Sequence, residues 1–229
     1  GGGGTDTTGG GGTDTTGGGG TDTTGGGGTD TTGGGGTDTT GGGGTDTTGG
    51  GGTDTTGGGG TDTTGGGGTD TIQTGLSSYN LGLVSNVENL VYSGASAFTG
   101  QGDAANNLIS GNSGADVLTG NGGDDSLAGL GGADSLSGGN GNDRLVGGLG
   151  NDTLSGGQGN DQFVFDTAIG AGNVDSLLDF SKVGQSDKIL LDDAIFTALT
   201  TANLAASFGT KLLYNAATGA LSYDADGAG

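Results

Sequence analysis

The amino-acid sequence predicts an all-β fold: a right-handed parallel β-roll, a small C-terminal cap of strands with one short helix, and a low-complexity N-terminal segment. Three observations carry this expectation. Seven consecutive nine-residue units run from Gly102 to Val164 in the form Gly-Gly-x-Gly-x-Asp-x-(large apolar)-x. An octapeptide repeats nine times over residues 1–72, and eight copies read Gly-Gly-Gly-Gly-Thr-Asp-Thr-Thr. Gly accounts for 65 of the 229 residues, whereas Pro, Cys, Met, Trp and His are absent.

Composition removes whole classes of chemistry. Acidic residues number 26 against four Lys and Arg, for a net charge of -22. Such a chain repels nucleic acid and anionic membrane surfaces and attracts cations. No apolar run reaches the 18 residues that a membrane-spanning helix requires, so membrane insertion is not expected. Without Cys there are no disulfides and no thiol chemistry, and without His there is no His-based triad. The ligands left are oxygens, which select hard cations, calcium first. The chain begins inside a repeat without an initiator Met, and reads as a fragment of a longer protein.

Along the chain, residues 1–68 form the Gly/Thr/Asp octapeptide array. Compared with a nonapeptide, each copy lacks one residue and carries Thr where a core side chain belongs. Losing the apolar group forfeits roughly 1.5–3 kcal/mol of burial per repeat. Dropping a residue is also expected to break the two-residue alternation that keeps one position facing inward. A flexible, low-complexity tether is the preferred reading. Weak calcium binding at Asp6, Asp14, Asp22 and their equivalents, or a flat ice-binding Thr face, are the alternatives. The ninth copy differs, because Ile72 restores the apolar position before Gln73.

Residues 69–101 read as N-terminal capping strands. Tyr79, Leu81, Leu83, Val84, Val87, Leu90, Val91, Tyr92 and Phe98 alternate with Gly, Ser and Asn, the pattern of short strands and turns.

Residues 102–164 are the nonapeptide roll. Its apolar positions are Ile109, Leu118, Leu127, Leu136, Leu145, Leu154 and Phe163, and its sixth positions are Asn107, Asp116, Asp125, Asp134, Asp143, Asp152 and Asp161. The last three residues of a unit suit a very short strand with the middle side chain inward. The Gly-rich part suits a tight turn with accessible carbonyls. Two units then make one coil, and units of the same parity stack about 4.8 Å apart. That places Asp116, Asp134 and Asp152 in one column and Asp125, Asp143 and Asp161 in the other. Stacked carboxylates repel, and a calcium ion between turns converts repulsion into ligation. Turn carbonyls at Gly139, Gly141, Gly148, Gly150, Gly157 and Gly159 complete the candidate ligand set. Parity counting gives about four sites. Asn107 leaves the first unit weak, and Leu130, at a second-Gly position, fits a left-handed turn poorly.

The unit resembles the calcium-binding nonapeptide of RTX (hemolysin-type) proteins, a recognised parallel β-repeat. The resemblance implies a Ca2+-binding module that folds outside the cell and leaves through a type I secretion apparatus. Physics agrees on calcium-coupled folding: seven core side chains cannot offset the ordering of so much Gly, so the metal must supply the difference.

Residues 165–229 read as a C-terminal cap and secretion-associated region. Asp187–Leu191 is a predicted strand, Asp192 caps a short helix carrying Ile195, Phe196 and Leu199, and Lys211–Asn215 with Ala220–Asp224 form a hairpin. Asn173-Val174-Asp175, Asp179-Phe180, Asp187-Lys188-Ile189 and Tyr223-Asp224-Ala225-Asp226-Gly227 resemble the C-terminal region of serralysin-like, type I-secreted proteins. That family ends in an apolar secretion tail, and the stop at Gly229 suggests truncation. Asp224–Gly227 also resembles the start of a calcium loop. The sequence holds no His-Glu-x-x-His and no Gly-x-Ser-x-Gly, so no catalytic function is assigned. An extracellular surface or ice-binding repeat protein, or the non-catalytic tail of an exported metalloprotease or lipase, are the competing readings.

Overall fold

The computed structural model describes residues 69–167, 173–180 and 185–192, together with the backbone of strands between residues 5 and 64 and at 212–215 and 220–223. Among the described residues there is no α-helix, only one turn of 3-10 helix at Leu81–Leu83. The strands wind as a parallel β-solenoid.

The roll's strands alternate between two sheets. One sheet takes β13 (Leu108–Ser110), β15 (Ser126–Gly131), β17 (Arg144–Leu149) and β19 (Gln162–Phe165). The other takes β14 (Val117–Gly122), β16 (Ser135–Asn140) and β18 (Thr153–Gln158). Pairing is parallel with a step of two units: Leu118 faces Leu136 and Leu136 faces Leu154, while Leu127 faces Leu145 and Leu145 faces Phe163. Two units per coil is thus the observed geometry. The inward side chains of both sheets meet in one core, where Ile109, Leu118, Leu127, Leu136, Leu145, Leu154 and Phe163 are all buried.

The strands are longer than the three residues expected. The ladder skips the first-position glycine and resumes at the second and third positions, as in Asn121 with Gly139 and Gly122 with Asn140. Extended backbone therefore continues past the apolar triplet, and the turn is compressed into the remaining residues.

Residues 71–101 are coils of the same solenoid as well as its cap. Strands β9 (Thr71–Thr74) and β11 (Asn89–Tyr92) stack on β13, with Ile72, Leu90 and Ile109 in one row. Strands β10 (Ser78–Asn80) and β12 (Thr99–Gln101) stack below β14. Here Gly100 stands where the apolar residue belongs, opposite Leu118. Phe98 fills the gap: a Cβ on Gly100 would lie 2.7 Å from the Phe98 ring. Tyr92 then stacks flat on Phe98 at 4.5 Å between ring centroids. The aromatic pair fills the core at this coil, where Gly100 brings no side chain of its own.

The octapeptide array corrects the tether expectation. Strands β1 (Thr5–Gly10), β3 (Thr21–Gly26), β5 (Thr37–Gly42) and β7 (Thr53–Gly58) pair in parallel, as do β2 (Thr13–Gly18), β4 (Thr29–Gly34), β6 (Thr45–Gly50) and β8 (Thr61–Thr64). Asp6 faces Asp22 and Asp14 faces Asp30, a step of two octapeptides. Dropping one residue from every unit shortens every coil equally, so register is conserved within the array and changes only where it meets the longer coils. At that joint Thr55 pairs with Thr71 and Thr56 with Ile72.

At the other end, β20 (Ser176–Leu177) pairs with β18, and β21 (Lys188–Leu191) pairs with β19. The predicted hairpin is present as antiparallel β22 (Leu212–Asn215) and β23 (Ala220–Tyr223). The helix expected after Asp192 and the loop at Asp224–Gly227 lie outside the described residues.

Side chains replace the missing next coil at this edge. Asp179 accepts N–H donations from Gly156 and Gly157, each at 2.9 Å, and the Ser155 hydroxyl at 2.7 Å. Asn173 Oδ1 accepts from Gly150 N–H. The Thr167 hydroxyl donates to Gly148 O and Gln185 Nε2 to Gly157 O, both at 2.7 Å. The open edge is thereby blunted.

Core and surface leucines of β17 separate the two roles of the repeat. Leu145 is fully buried and Leu149 is 61% exposed. Leu145→Ala is expected to cost about 2–5 kcal/mol, and Leu149→Ala within about 0.5 kcal/mol, in thermal or urea unfolding at fixed calcium. Equal losses at the two positions would contradict the core described above.

Candidate metal centre

Each sixth-position aspartate of the roll makes the same contact. Its Oδ1 accepts the backbone N–H of the matching residue one coil earlier. Asp134 accepts from Asp116 at 2.7 Å, Asp143 from Asp125 at 2.8 Å, and Asp152 and Asp161 from Asp134 and Asp143 at 2.9 Å. Asp116 and Asp125 serve Phe98 N–H and Asn107 N–H in the same way. The two predicted columns are therefore assembled, Asp116, Asp134 and Asp152 on one edge, and Asp125, Asp143 and Asp161 on the other.

Oδ2 has a different environment. It folds back over the first glycine of its own unit, where a Cβ on Gly120, Gly129, Gly138 or Gly147 would collide with it. On Asp125, Asp134, Asp143 and Asp152 this oxygen is buried and receives no hydrogen bond. Burial raises the carboxyl pKa of Asp125 and Asp134 to about 7, with Asp143 and Asp152 respectively adding like charge. Asp143 rises to about 6 for the same reason, with Asp161 next to it, and burial also pushes Asp152 and Asp161 up.

The glycines at the second and fourth positions shape the turn. Gly139, Gly148 and Gly157 have φ of 117°, 101° and 102°, and Gly141, Gly150 and Gly159 have φ of 128°, 133° and 135°. At each, the carbonyl of the matching residue one coil earlier occupies the place a Cβ would take: Gly139 O at Gly157, Gly141 O at Gly159, Gly132 O at Gly150. A side chain would fill the space into which those carbonyls point. Asn121 and Leu130 take the left-handed conformation too, at φ 79° and 74°. For Leu130 this costs roughly 1–2 kcal/mol, and its side chain is left exposed.

These donors fit a hard divalent cation. A buried carboxylate oxygen lacking a donor is costly unless a cation or proton compensates it, and calcium takes six to eight oxygens, carboxylate and carbonyl alike. Among the described residues no three acidic side chains converge on one point. Each gap between coils instead offers two carboxylates, so backbone carbonyls must supply the remaining ligands. The candidate carbonyls differ among themselves, since Gly148 O and Gly157 O already accept from Thr167 and Gln185.

Sequence reasoning missed four column members. Asp175 Oδ1 accepts Asp152 N–H and Asp187 Oδ1 accepts Asp161 N–H, both at 3.0 Å, so both columns continue past the repeats. Burial lifts Asp175 to about 7. The triplets Asp175-Ser176-Leu177 and Asp187-Lys188-Ile189 carry the Asp-x-apolar signal, but the inserted loops hide it from a nine-residue count. At the other end Asp70 N–H donates to Glu88 Oε2 at 2.9 Å, which aligns both with Asn107. Asn107 itself is neutral, and its Oδ1 accepts Asp103 N–H at 2.9 Å. A second ladder also went unread. Asn106, Asp124, Asn142 and Asn160 at the fifth position each accept an N–H from the next coil, opposite in direction to the Asp columns.

Comparison with known proteins agrees with this geometry. Residues 101–136 and 137–167 match the family described as RTX calcium-binding nonapeptide repeat (4 copies). No curated protein matches the chain. Residues 101–167 therefore carry RTX calcium-binding repeats, and Ca2+ is their cofactor.

Protonation and calcium are two ways of discharging the same columns. Because burial raises the folded-state pKa from 3.8 towards 7, folding without calcium takes up protons in that interval. The associated stability is complete below about pH 4 and is lost as pH rises through about 7. In chelator, β signal in circular dichroism is expected to fall from pH 4 to pH 7. Millimolar calcium is expected to restore it at pH 7 and to matter least near pH 4. A chelated chain whose β signal instead rises with pH would refute this. Leu130→Gly relieves the left-handed strain and is expected to gain on the order of 0.5–1 kcal/mol after the entropy of the added Gly, read as a higher melting temperature in calcium.

Proposed function

We propose that these RTX calcium-binding repeats work as a calcium-folded module, with ions held between successive coils by Asp116, Asp125, Asp134, Asp143, Asp152 and Asp161 and by turn carbonyls. Asp175 and Asp187 extend the same columns into the final coil. The observation that carries this reading is the set of buried Oδ2 atoms on Asp125, Asp134, Asp143 and Asp152, which no protein donor satisfies. Calcium supplies the positive charge and the ligand geometry when bound. The chain's own residues align the carboxylates by backbone hydrogen bonds, admit them over glycine and bury the apolar row beneath them.

The role is structural and non-catalytic. Where calcium is scarce, like charge opposes stacking and the chain stays unfolded. Where it reaches about 0.1–1 mM, as extracellular modules require, the coils close. This suits a protein exported unfolded and folded outside the cell, with a type I secretion apparatus as its partner. The net charge of -22 supports such solubility and argues against nucleic acid as a partner. No helix among the described residues is long and apolar enough to cross a membrane. The regular stacking of the octapeptide strands favours a second, structural role for residues 5–64 as an extended surface or spacer array.

Circular dichroism with and without millimolar calcium tests the main reading, which predicts a gain of β signal on addition. Asp143→Asn, which removes charge from the middle of its column while keeping an acceptor, is expected to raise the calcium midpoint several-fold. A chain lacking residues 1–68 is expected to keep the calcium response. An unchanged spectrum on adding calcium to the full chain would reject the module.

A further inference from the structure

Asn121-Gly122 and Asn140-Gly141 are Asn-Gly steps, and both fall inside the roll. Parallel register sets them in adjacent coils on one edge, with Gly122 opposite Asn140. Such steps are chemically weak in an open chain, because Gly has no side chain to hinder its own nitrogen from reaching the asparagine. In the roll both nitrogens are engaged. Gly122 N–H donates to Asp103 O at 3.1 Å and Gly141 N–H to Gln158 O at 2.8 Å. The Asn121 amide is also held, donating through Nδ2 to Gly102 O at 2.8 Å.

We propose that Asn121 and Asn140 are deamidation sites, modified in the calcium-free chain and protected in the folded roll. This rests on the reading that calcium drives folding. The deprotonated glycine nitrogen attacks Cγ of the preceding asparagine. The N–Cγ bond forms, the Cγ–Nδ2 bond breaks, and Nδ2 leaves as ammonia with protons from water. Water then opens the cyclic imide at either carbonyl, giving aspartate or isoaspartate, with no oxidant or reductant. Isoaspartate adds one methylene to the main chain. At Asn121 the insertion falls beside a second-position carbonyl, and at Asn140 it falls beside Gly141. Because side chains alternate with a period of two, a lengthened backbone cannot keep both the apolar residue and the aspartate in register. Time spent without calcium therefore becomes permanent loss of the site that calcium needs.

The full chain is incubated at mildly alkaline pH, in chelator and in calcium at 100 times its midpoint. Ammonia release and isoaspartate at each asparagine are read by peptide mapping. Acid is expected to accumulate at Asn121 and Asn140 in chelator, and more slowly in calcium by at least about 100-fold, the factor that a single site bound only in the folded state gives. Gly122→Ala is the internal control. A Cβ there meets only Ala104 Cα at 3.8 Å, so the roll accommodates it. This variant is expected to silence Asn121, leave Asn140 reactive, and keep the calcium-induced β signal. Equal rates in chelator and calcium, in a chain that gains β signal with calcium, would overturn this inference alone. An even spread of acid over Asn112, Asn151 and the other asparagines would overturn it too. Absence of any calcium response would remove the folding premise and this inference with it.

Discussion

Everything in the roll depends on placing like charges on top of one another. Parallel register sets each aspartate directly over the next, and the hydrogen bond from one backbone N–H to the following Oδ1 fixes that arrangement. The bond orients the carboxylate but uses only one of its oxygens. On Asp125, Asp134, Asp143 and Asp152 the other is buried beside glycine with no protein donor, whereas Asp116 Oδ2 accepts Asn112 N–H at 2.8 Å. The glycine content, the short coil and the slender core all follow from making room for that second oxygen.

Energetically the roll inverts the usual order. In most domains the apolar core supplies the driving force and polar groups are tolerated if satisfied. Here one apolar side chain per nonapeptide lines the interior. That row runs in register through both sheets, while the like charges are stacked along the two edges. Leu130 shows how demanding the turn is, since the second position imposes a left-handed conformation even on leucine.

Much of this was legible in the sequence. The apolar row, the two Asp columns and the two-unit coil follow from spacing alone, because an unbroken period of nine leaves little freedom. Asp175 and Asp187 were not legible as column members, since loops of other lengths separate them from the preceding unit and only the pairing of Ser176 with Thr153 and Lys188 with Gln162 reveals their place. Gly100 and Phe98 exchange roles across two positions, which no single-position pattern anticipates. The octapeptide array was misjudged for a simpler reason. A uniform deletion changes coil size, and only a non-uniform one breaks register.

The side-chain caps at the C-terminal edge give the roll a direction. Thr167, Asn173, Asp179 and Gln185 lie 19 to 28 residues from the groups they satisfy, no nearer than the 18 that separate successive coils, yet they answer those turn groups with side chains rather than with another repeat. The repeat coils within the roll take their partner groups from the neighbouring coil. The roll therefore stops here by structure, because a further coil would compete with these four side chains for the same turn groups.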